Sequence, residues 1–369
     1  MSALEKCRST DMGGQTAALG TTRAEATLAL AAAGVVCPAC GRNAAGEGLE
    51  RYSKYALHEC GGCGLQFWEP RRMPDGRWYE QVYADRDAAV MLLEPGHRFF
   101  LSDARAPGRG RLLDIGCGTG NFLAAARGAG YEVTGIELNA NAARVAREHF
   151  GLQRVFALEP GEFARRHPEE RFDVVTFFEV LEHQAEPRGF LEEAKACLRP
   201  GGHVALSVPN RERWQTGVDV LDYPPNHFLR WNAASLGRFL EAAGFEMLTV
   251  REEPLGLRRA AQMVNTALRT GLTQPLGGAG EASFREVMRR ADPAVAVPQL
   301  REQVASAGPT MRQRVVRGLA RAKRYAVFPM AALAWPYLRA SGRKGAYLYC
   351  LARWNRDGWA QHGTGSSGR

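Results

Sequence analysis

Hydrophobic residues between positions 111 and 208 occur in short apolar runs, and each run is separated from the next by a segment with helical spacing. The apolar runs predict four strands, over residues 111–115, 131–137, 172–178 and 203–208. The intervening segments predict helices, over residues 121–127, 139–150 and 190–198. Strands that alternate with helices in this way form a parallel sheet with helices on both faces. The pattern therefore predicts an α/β fold for the centre of the chain.

A glycine-rich loop follows the first predicted strand. Gly116, Gly118 and Gly120 let the backbone turn sharply and pass close to a ligand. Glu137 ends the next strand, where a carboxylate can accept hydrogen bonds from both hydroxyls of a ribose. Dinucleotide dehydrogenases use the same arrangement, so the loop by itself leaves the cofactor open. Two details favour a cationic ligand over a pyrophosphate: the glycines are spaced G-x-G-x-G, and Asp114 lies two residues before the first of them.

Five segments resemble, in the expected order, the motifs of class I S-adenosylmethionine-dependent methyltransferases. They are residues 112–120, 135–138, 172–175, 198–202 and 208–210. The resemblance implies a Rossmann-like methyltransferase sheet whose last strand inserts antiparallel beside its predecessor, and it implies S-adenosylmethionine as the cofactor. Apolar patterns over residues 245–251 and 345–353 predict these last two strands, so that residues 254–344 become a long, mainly helical insertion.

The same resemblance implies roles for the residues of the glycine loop and its neighbours. The three glycines would border the methionine moiety and the ribose, and Asp114 would lie under the amino group. Glu137 would hold the ribose hydroxyls.

Further cofactor contacts follow from the same motifs. Leu138 would flank the adenine, and Phe177 would lie at the cofactor's edge, where the fourth strand ends. The acid that caps the adenine should follow a strand at 155–157, and we assign Glu159 in preference to Glu162.

Two cysteine pairs precede this domain. Cys37 and Cys40 are separated by 19 residues from Cys60 and Cys63, a spacing typical of a four-thiolate zinc site. The alternatives are two disulfides, which require an oxidising compartment, or a redox pair, which does not usually come as two spaced copies. The spacing therefore predicts a structural zinc ribbon in a reducing cytoplasm.

The segment after the fourth strand, Glu179-Val180-Leu181-Glu182-His183, resembles the matching motif of ubiquinone-pathway O-methyltransferases. In that family two glutamates and a histidine can bind a divalent cation, which implies Mg²⁺ held by Glu179, Glu182 and His183 on one helical face. The alternative is that Glu182 and His183 cap a helix and pack beside the cofactor.

A second candidate catalytic residue lies on a proline-rich loop after the fifth strand. His227 could act there as a general base for the methyl acceptor, or it could simply hydrogen-bond the loop. The segment Asp222–Trp231 resembles zinc-containing C-methyltransferases of deoxysugar pathways, which have a histidine near a comparable phenylalanine. Because Asn226 precedes His227, the sequence does not indicate a carboxylate partner for the histidine.

The net charge of +9 is unevenly distributed. Residues 251–369 contain 20 Lys and Arg against 7 Asp and Glu, so the first 250 residues are slightly acidic. Between Arg312 and Lys344 there are nine basic residues and no acidic residue, and the apolar segment 325–338 lies among them. This segment is shorter than the roughly 20 residues that cross a bilayer. It could lie on an anionic membrane surface, or the insertion could be a lid with a solvated basic face.

The predicted organisation has six parts. They are a disordered leader (1–34), a zinc ribbon (35–72), a methyltransferase domain (73–253), a basic helical insertion (254–344), the final strand (345–356) and a disordered tail (357–369). We predict a cytoplasmic enzyme that methylates a hydroxyl or carbon of a small molecule, a saccharide or a lipid-linked acceptor. The alternatives are an RNA methyltransferase, which the scarcity of aromatic residues in the insertion disfavours, and a non-catalytic zinc scaffold.

Overall fold

The computed structural model describes residues 34–44, 48–72, 93–213, 222–257, 260–261, 328–340, 342 and 344–355. The predicted leader up to residue 33, residues 262–327 of the predicted insertion and the predicted tail lie outside the described residues. The methyltransferase-like part and the cysteine-rich part each contain a β-sheet.

The larger sheet has seven strands and confirms the predicted α/β fold. In chain order its strands are β4 (Gly110–Ile115), β5 (Tyr131–Ile136), β6 (Val155–Phe156), β7 (Phe172–Phe178), β8 (Leu198–Pro209), β10 (Phe245–Pro254) and β11 (Lys344–Trp354). Their order across the sheet is β10-β11-β8-β7-β4-β5-β6. As the resemblance implies, β11 pairs antiparallel with both β8 and β10, whereas β4 to β8 pair parallel.

Helices cover both faces of this sheet. They are α1 (Pro95–Leu101), α2 (Asn121–Gly128), α3 (Ala140–Phe150), α4 (Pro160–Arg166), α5 (Pro187–Ala196) and α6 (Ala233–Ala242). Successive side chains of a strand point to opposite faces, and β7 illustrates this. Phe178 packs against Phe122 of α2, whereas Phe177 packs against Phe190 of α5.

One predicted boundary differs from the structure. The helix predicted over residues 190–198 ends at Ala196, and β8 begins at Leu198 rather than at His203. The reason is that Leu198 already pairs with Phe172 of β7, so the Pro200-Gly201-Gly202 segment lies within the strand rather than before it.

The smaller sheet combines two distant parts of the chain. It contains β1 (Glu50–Tyr52), β2 (Tyr55–Glu59), β3 (Gln66–Glu69) and β9 (Leu229–Arg230), in that order. β9 lies between the seven-stranded sheet's β8 and α6 in sequence, yet it pairs antiparallel with β3 of the cysteine-rich part. The loop that precedes β9 is therefore held against the cysteine-rich sheet.

A short helix, α7 (residues 328–340), precedes β11. Its Trp335 Nε1 donates a hydrogen bond to the carbonyl of Leu255 at 2.7 Å, and Ala331 is buried. Among the helices in the described ranges, none has both the length and the apolar character needed to cross a membrane.

Candidate active site and metal centres

The glycine loop leaves space for a ligand at one position and is packed at another. Gly118 has φ 53°, and a Cβ placed there would meet nothing within 4 Å. Gly120 has φ 83°, and a Cβ there would lie 2.7 Å from Leu152 Cδ1. Gly120 is therefore required by packing against the protein, whereas the open space at Gly118 fits the close approach of a cofactor.

Two carboxylates flank this loop. Glu137 Oε2 accepts a hydrogen bond from the Gly118 amide at 2.8 Å, and its Oε1 accepts one from the Asn139 amide at 2.8 Å. Asp114 is buried, and its Oδ1 accepts a hydrogen bond from Thr176 Oγ1 at 2.6 Å. Burial raises the pKa of Asp114 to about 8, although the Thr176 hydrogen bond opposes the rise and the charge of Glu137 adds to it.

This donor set fits S-adenosylmethionine. Its amino group and sulfonium are cationic, so their binding would offset the unfavourable electrostatic free energy of holding the carboxylates of Asp114 and Glu137 close together. A carboxylate oxygen has two lone pairs, so Glu137 is chemically suited to accept hydrogen bonds from ribose hydroxyls as well as from backbone amides.

The other residues assigned to the cofactor differ in their accessibility. The Leu138 side chain is 51% exposed directly after Glu137, and Glu159 is exposed at the start of α4. Phe177 has no exposed surface and packs edge-on against Phe190, with 5.2 Å between ring centroids. A side chain inside the core cannot contact a bound cofactor, so the predicted role of Phe177 does not agree with its position.

The loop touches the segment that follows β7. A Cβ on Gly116 would lie 2.6 Å from Val180 Cγ2, so the glycine loop and residues 179–183 are in direct contact. This contact follows from the parallel pairing of β4 and β7, whose carboxyl ends lie side by side. Groups on residues 179–183 are consequently close to any ligand that the glycine loop holds.

The predicted helical face of Glu179, Glu182 and His183 is not formed. Glu179 has φ 55°, and only Leu181–His183 form a short 3-10 turn. Glu179 Oε1 instead accepts a hydrogen bond from Ser207 Oγ at 2.8 Å, and burial raises the pKa of Glu179 to about 8. The difference arises because the backbone of Glu179 is left-handed, so Glu179 does not belong to the helical turn that contains Glu182 and His183.

His227 joins Glu182 and His183. The Oε1 atom of Glu182 lies 3.8 Å from His183 Nε2 and 3.9 Å from His227 Nε2. All three side chains are largely buried, and Glu182 is only 1% exposed. These residues come from two segments that are distant along the chain and that the sequence predicts as separate candidate sites.

His227 has the carboxylate partner that the sequence did not indicate. Its Nδ1 lies 3.3 Å from Asp222 Oδ1, and Asp222 also contacts Arg213 and Arg230. Burial alone would raise the pKa of Asp222, but the hydrogen bond from His227 and the charge of Arg213 lower it to about 2. The only available signal was an aspartate five residues before the histidine on a loop that folds back on itself.

The four paired cysteines converge. The distance between Cys37 Sγ and Cys63 Sγ is 3.6 Å, and that between Cys40 Sγ and Cys60 Sγ is 3.4 Å. Disulfide sulfurs are about 2.05 Å apart, whereas sulfurs bound to one zinc at about 2.3 Å lie nearly 4 Å apart. The arrangement therefore fits a single tetrahedral metal ion.

The turns of both cysteine pairs have the geometry that such a site requires. The amide of Gly41 donates to the Cys37 carbonyl at 2.9 Å, and that of Gly64 donates to the Cys60 carbonyl at 2.7 Å. Both glycines have φ near 73°, which other residues rarely adopt.

The cysteine-rich sheet holds the loop that contains His227. The backbone amide of Trp68 donates to the Phe228 carbonyl at 2.9 Å, and Trp68 Nε1 donates to the Asp222 carbonyl at 3.0 Å. The rings of Tyr52 and Tyr223 pack with their centroids 4.4 Å apart. Hydrogen bonds from one tryptophan thus fix the two sides of this loop.

Comparison with known proteins gives a consistent result for the larger sheet. Residues 85–250 match a protein family described as a methyltransferase domain. A ubiquinone biosynthesis O-methyltransferase of Thiobacillus denitrificans is 41% identical over 114 residues, which cover 30% of this chain and 49% of that protein. The corresponding enzyme of Aromatoleum aromaticum is 42% identical over 105 residues, covering 27% of this chain and 44% of that protein. The chain spans about half the length of these curated relatives.

Among solved structures, the chain is similar to the 4+2 cyclase SpnF, with a TM-score of 0.44 and 19% identity, over 77% of this chain and 98% of that one. It is also similar to a methyltransferase from Geobacter sulfurreducens in complex with S-adenosyl-L-homocysteine, with a TM-score of 0.41 and 16% identity, over 76% of this chain and 98% of that one. The sequence motifs, the sheet and the family match lead to one assignment: the chain contains a class I S-adenosylmethionine-dependent methyltransferase domain that resembles the ubiquinone O-methyltransferases.

Proposed function

We propose that this protein transfers the methyl group of S-adenosylmethionine to a hydroxyl or a carbon of a small molecule, a saccharide or a lipid-linked acceptor. The observation that carries the proposal is the contact between Gly116 and Val180, because it brings a cofactor loop next to the cluster of Glu182, His183 and His227. The relatives are named as O-methyltransferases, which favours a hydroxyl as the group that receives the methyl.

The cofactor supplies an electrophilic methyl group on its sulfonium, so the protein's part is to align the acceptor and to help it lose a proton. Asp114 and Glu137 would bind the amino group and the ribose, and Gly118 would lie against the ligand. His227, oriented by Asp222, would contact the acceptor where its proton leaves. The four cysteines would hold a structural zinc ion that keeps the loop of His227 in position.

Calorimetry with S-adenosylmethionine tests this proposal most directly. We expect Gly118→Ala to weaken cofactor binding by about tenfold or more, since the added methyl group would occupy the ligand's space and 1.4 kcal/mol is tenfold. Gly151→Ala is a matched control, because Gly151 also has a positive φ of 60° and open space within 4 Å, but lies at the end of α3. Both variants bear the same left-handed backbone cost of about 1–2 kcal/mol.

Three outcomes would contradict the proposal that the protein is a methyltransferase. They are no binding to the unaltered protein, equal binding by Gly118→Ala and Gly151→Ala, and binding unchanged in Glu137→Ala. The first of these would favour the zinc scaffold. RNA affinity that falls steeply with salt, together with methyl transfer to RNA from the labelled cofactor, would favour the RNA methyltransferase.

We also propose peripheral membrane contact through the basic segment 312–344. In the described part of this segment, α7 exposes Leu333 at 85% and Tyr337 at 77%, four residues apart on one face. Sedimentation with vesicles is the measurement: we expect binding to vesicles with anionic headgroups, and less than half of that binding for Leu333→Glu. No sedimentation with either anionic or zwitterionic vesicles would exclude this contact, and equal sedimentation with both would exclude a role for the basic residues in it.

A further inference from the structure

The second cysteine turn, residues 60–65, is held by side chains of the methyltransferase domain as well as by its own backbone. We propose that Arg211 and Arg238 act as outer partners of the four-cysteine metal site, and that through them metal binding is linked to the position of the loop that contains His227. The inference rests on the zinc ion of the proposed function. It adds the residues through which that ion acts on the rest of the protein.

Both arginines donate hydrogen bonds to carbonyl groups of this turn. The Nη1 atom of Arg211 donates to the Gly64 carbonyl at 2.6 Å, and the Nε atom of Arg238 donates to the Cys63 carbonyl at 3.1 Å. The Nη2 atom of Arg238 also lies near Gly64, at 3.3 Å from the position of a Cβ added there. One guanidinium from the segment after β8 and one from α6 therefore meet at a single cysteine turn.

The turn that the arginines contact presents two of the four sulfurs. The amide of Cys63 lies 3.5 Å from Cys60 Sγ, and the amide of Gly64 donates to the Cys60 carbonyl at 2.7 Å. A shift of Cys63 or Gly64 would therefore move both sulfurs of this pair relative to the other pair. The loss of a group that orients metal ligands from outside typically weakens metal binding by about 10–100-fold.

The charges of the two arginines also suit a metal–thiolate centre. Four thiolates and one Zn²⁺ carry a formal charge of about −2, which two guanidinium groups would balance. The Nη2 atom of Arg211 lies 3.5 Å from Glu59 Oε1, so this carboxylate offsets part of the arginine's charge. Glu59 is 40% exposed, however, and water weakens an exposed pair. Removal of either arginine's charge is therefore expected to weaken metal binding.

The segment that begins at Arg211 also reaches the candidate acceptor site. The amide of Arg211 donates to the Trp231 carbonyl at 2.8 Å, and two residues later the buried side chain of Arg213 pairs with Asp222. Asp222 in turn lies 3.3 Å from His227 Nδ1. Three consecutive residues thus connect the cysteine turn to the carboxylate that orients His227.

These contacts would couple the two places in both directions. If the loaded metal site holds residues 211–213 in position, the contacts of those residues must raise the affinity for the metal by the same factor. The affinity for Zn²⁺ therefore measures the coupling and requires neither cofactor nor acceptor.

Competition with a chromophoric chelator gives the Zn²⁺ affinity of the full-length protein. We expect Arg211→Gln and Arg238→Gln each to weaken it by about 10–100-fold. Arg211→Lys should recover part of the loss, because lysine keeps the charge but not the planar fork of donors. Arg51→Gln is the matched control, since it removes the same charge from an exposed position of β1 and should leave the affinity unchanged.

Hydrogen exchange of the zinc-saturated protein tests the link to the acceptor site. In Arg211→Gln we expect faster exchange of the Arg213 amide, which donates to the Asn210 carbonyl at 3.1 Å, and of the Phe228 amide, which donates to the Glu182 carbonyl at 2.9 Å. Exchange in β4 should not change, whereas a general loss of stability would accelerate it as well.

Three results would overturn the inference. Equal Zn²⁺ affinities of Arg211→Gln, Arg238→Gln and Arg51→Gln would do so and would leave the proposed zinc site standing. Failure of the unaltered protein to bind Zn²⁺ would overturn the inference together with that site. Faster exchange in β4 of Arg211→Gln would replace the coupling by a general destabilisation. None of these measurements uses S-adenosylmethionine, so they are independent of whether the protein transfers methyl groups.

Discussion

Loss of the metal from the cysteine site is expected to abolish methyl transfer while the seven-stranded sheet stays folded. Cys60→Ser removes one of four converging thiolates, and structural zinc contributes about 10–16 kcal/mol of apparent free energy to small domains that depend on it. Without the ion, the turn of Cys60 and Cys63 between β2 and β3 would lose its anchor. The loop of His227 would then lose the Trp68 hydrogen bonds and the pairing of β3 with β9. A displacement of 1 Å at a reacting group can cost about 100-fold in rate, so we expect a loss of turnover of at least that size.

Three measurements on Cys60→Ser check this prediction. Metal analysis should show the loss of one equivalent, and calorimetry should show cofactor affinity within about twofold of the unaltered protein. Hydrogen exchange should accelerate in β3 and β9 but not in β4 and β5. Cys197→Ala is the control, because this buried thiol lies at the end of α5 and outside the ribbon. A Cys60→Ser protein that turns over normally without metal would refute the structural role.

The larger sheet could be predicted because its strands are buried on both faces. Leu112, Leu113, Val174 and Val175 are fully buried, so the central strands read as continuous apolar runs with clear ends. The position of β11 could be predicted only through the resemblance to methyltransferases. Its 11 residues are separated from β10 by about 90 residues of sequence, and no local pattern fixes such a pairing.

The part of the site that would receive the methyl acceptor, around Glu182, His183 and His227, could be predicted only in part. His183 and His227 were both candidates, but nothing in the sequence indicated that they meet at Glu182. Their meeting depends on β9, a strand of two residues that is too short to have a recognisable alternation. The sequence likewise does not indicate the positive φ of Glu179. This φ changes the direction of the backbone, and no recognisable pattern of residue types accompanies it.

We expect His227→Ala to retain cofactor affinity and to lose turnover by about 100- to 10,000-fold, the usual contribution of a positioned proton-transfer group. The histidine is 8% exposed and its Nδ1 is held by Asp222, so its ring has a fixed orientation toward Glu182. Steady-state rates, with cofactor binding measured by calorimetry, separate the two effects. His149→Ala, at an exposed position of α3, should retain full turnover. Full turnover in His227→Ala would exclude any role for His227 in the reaction.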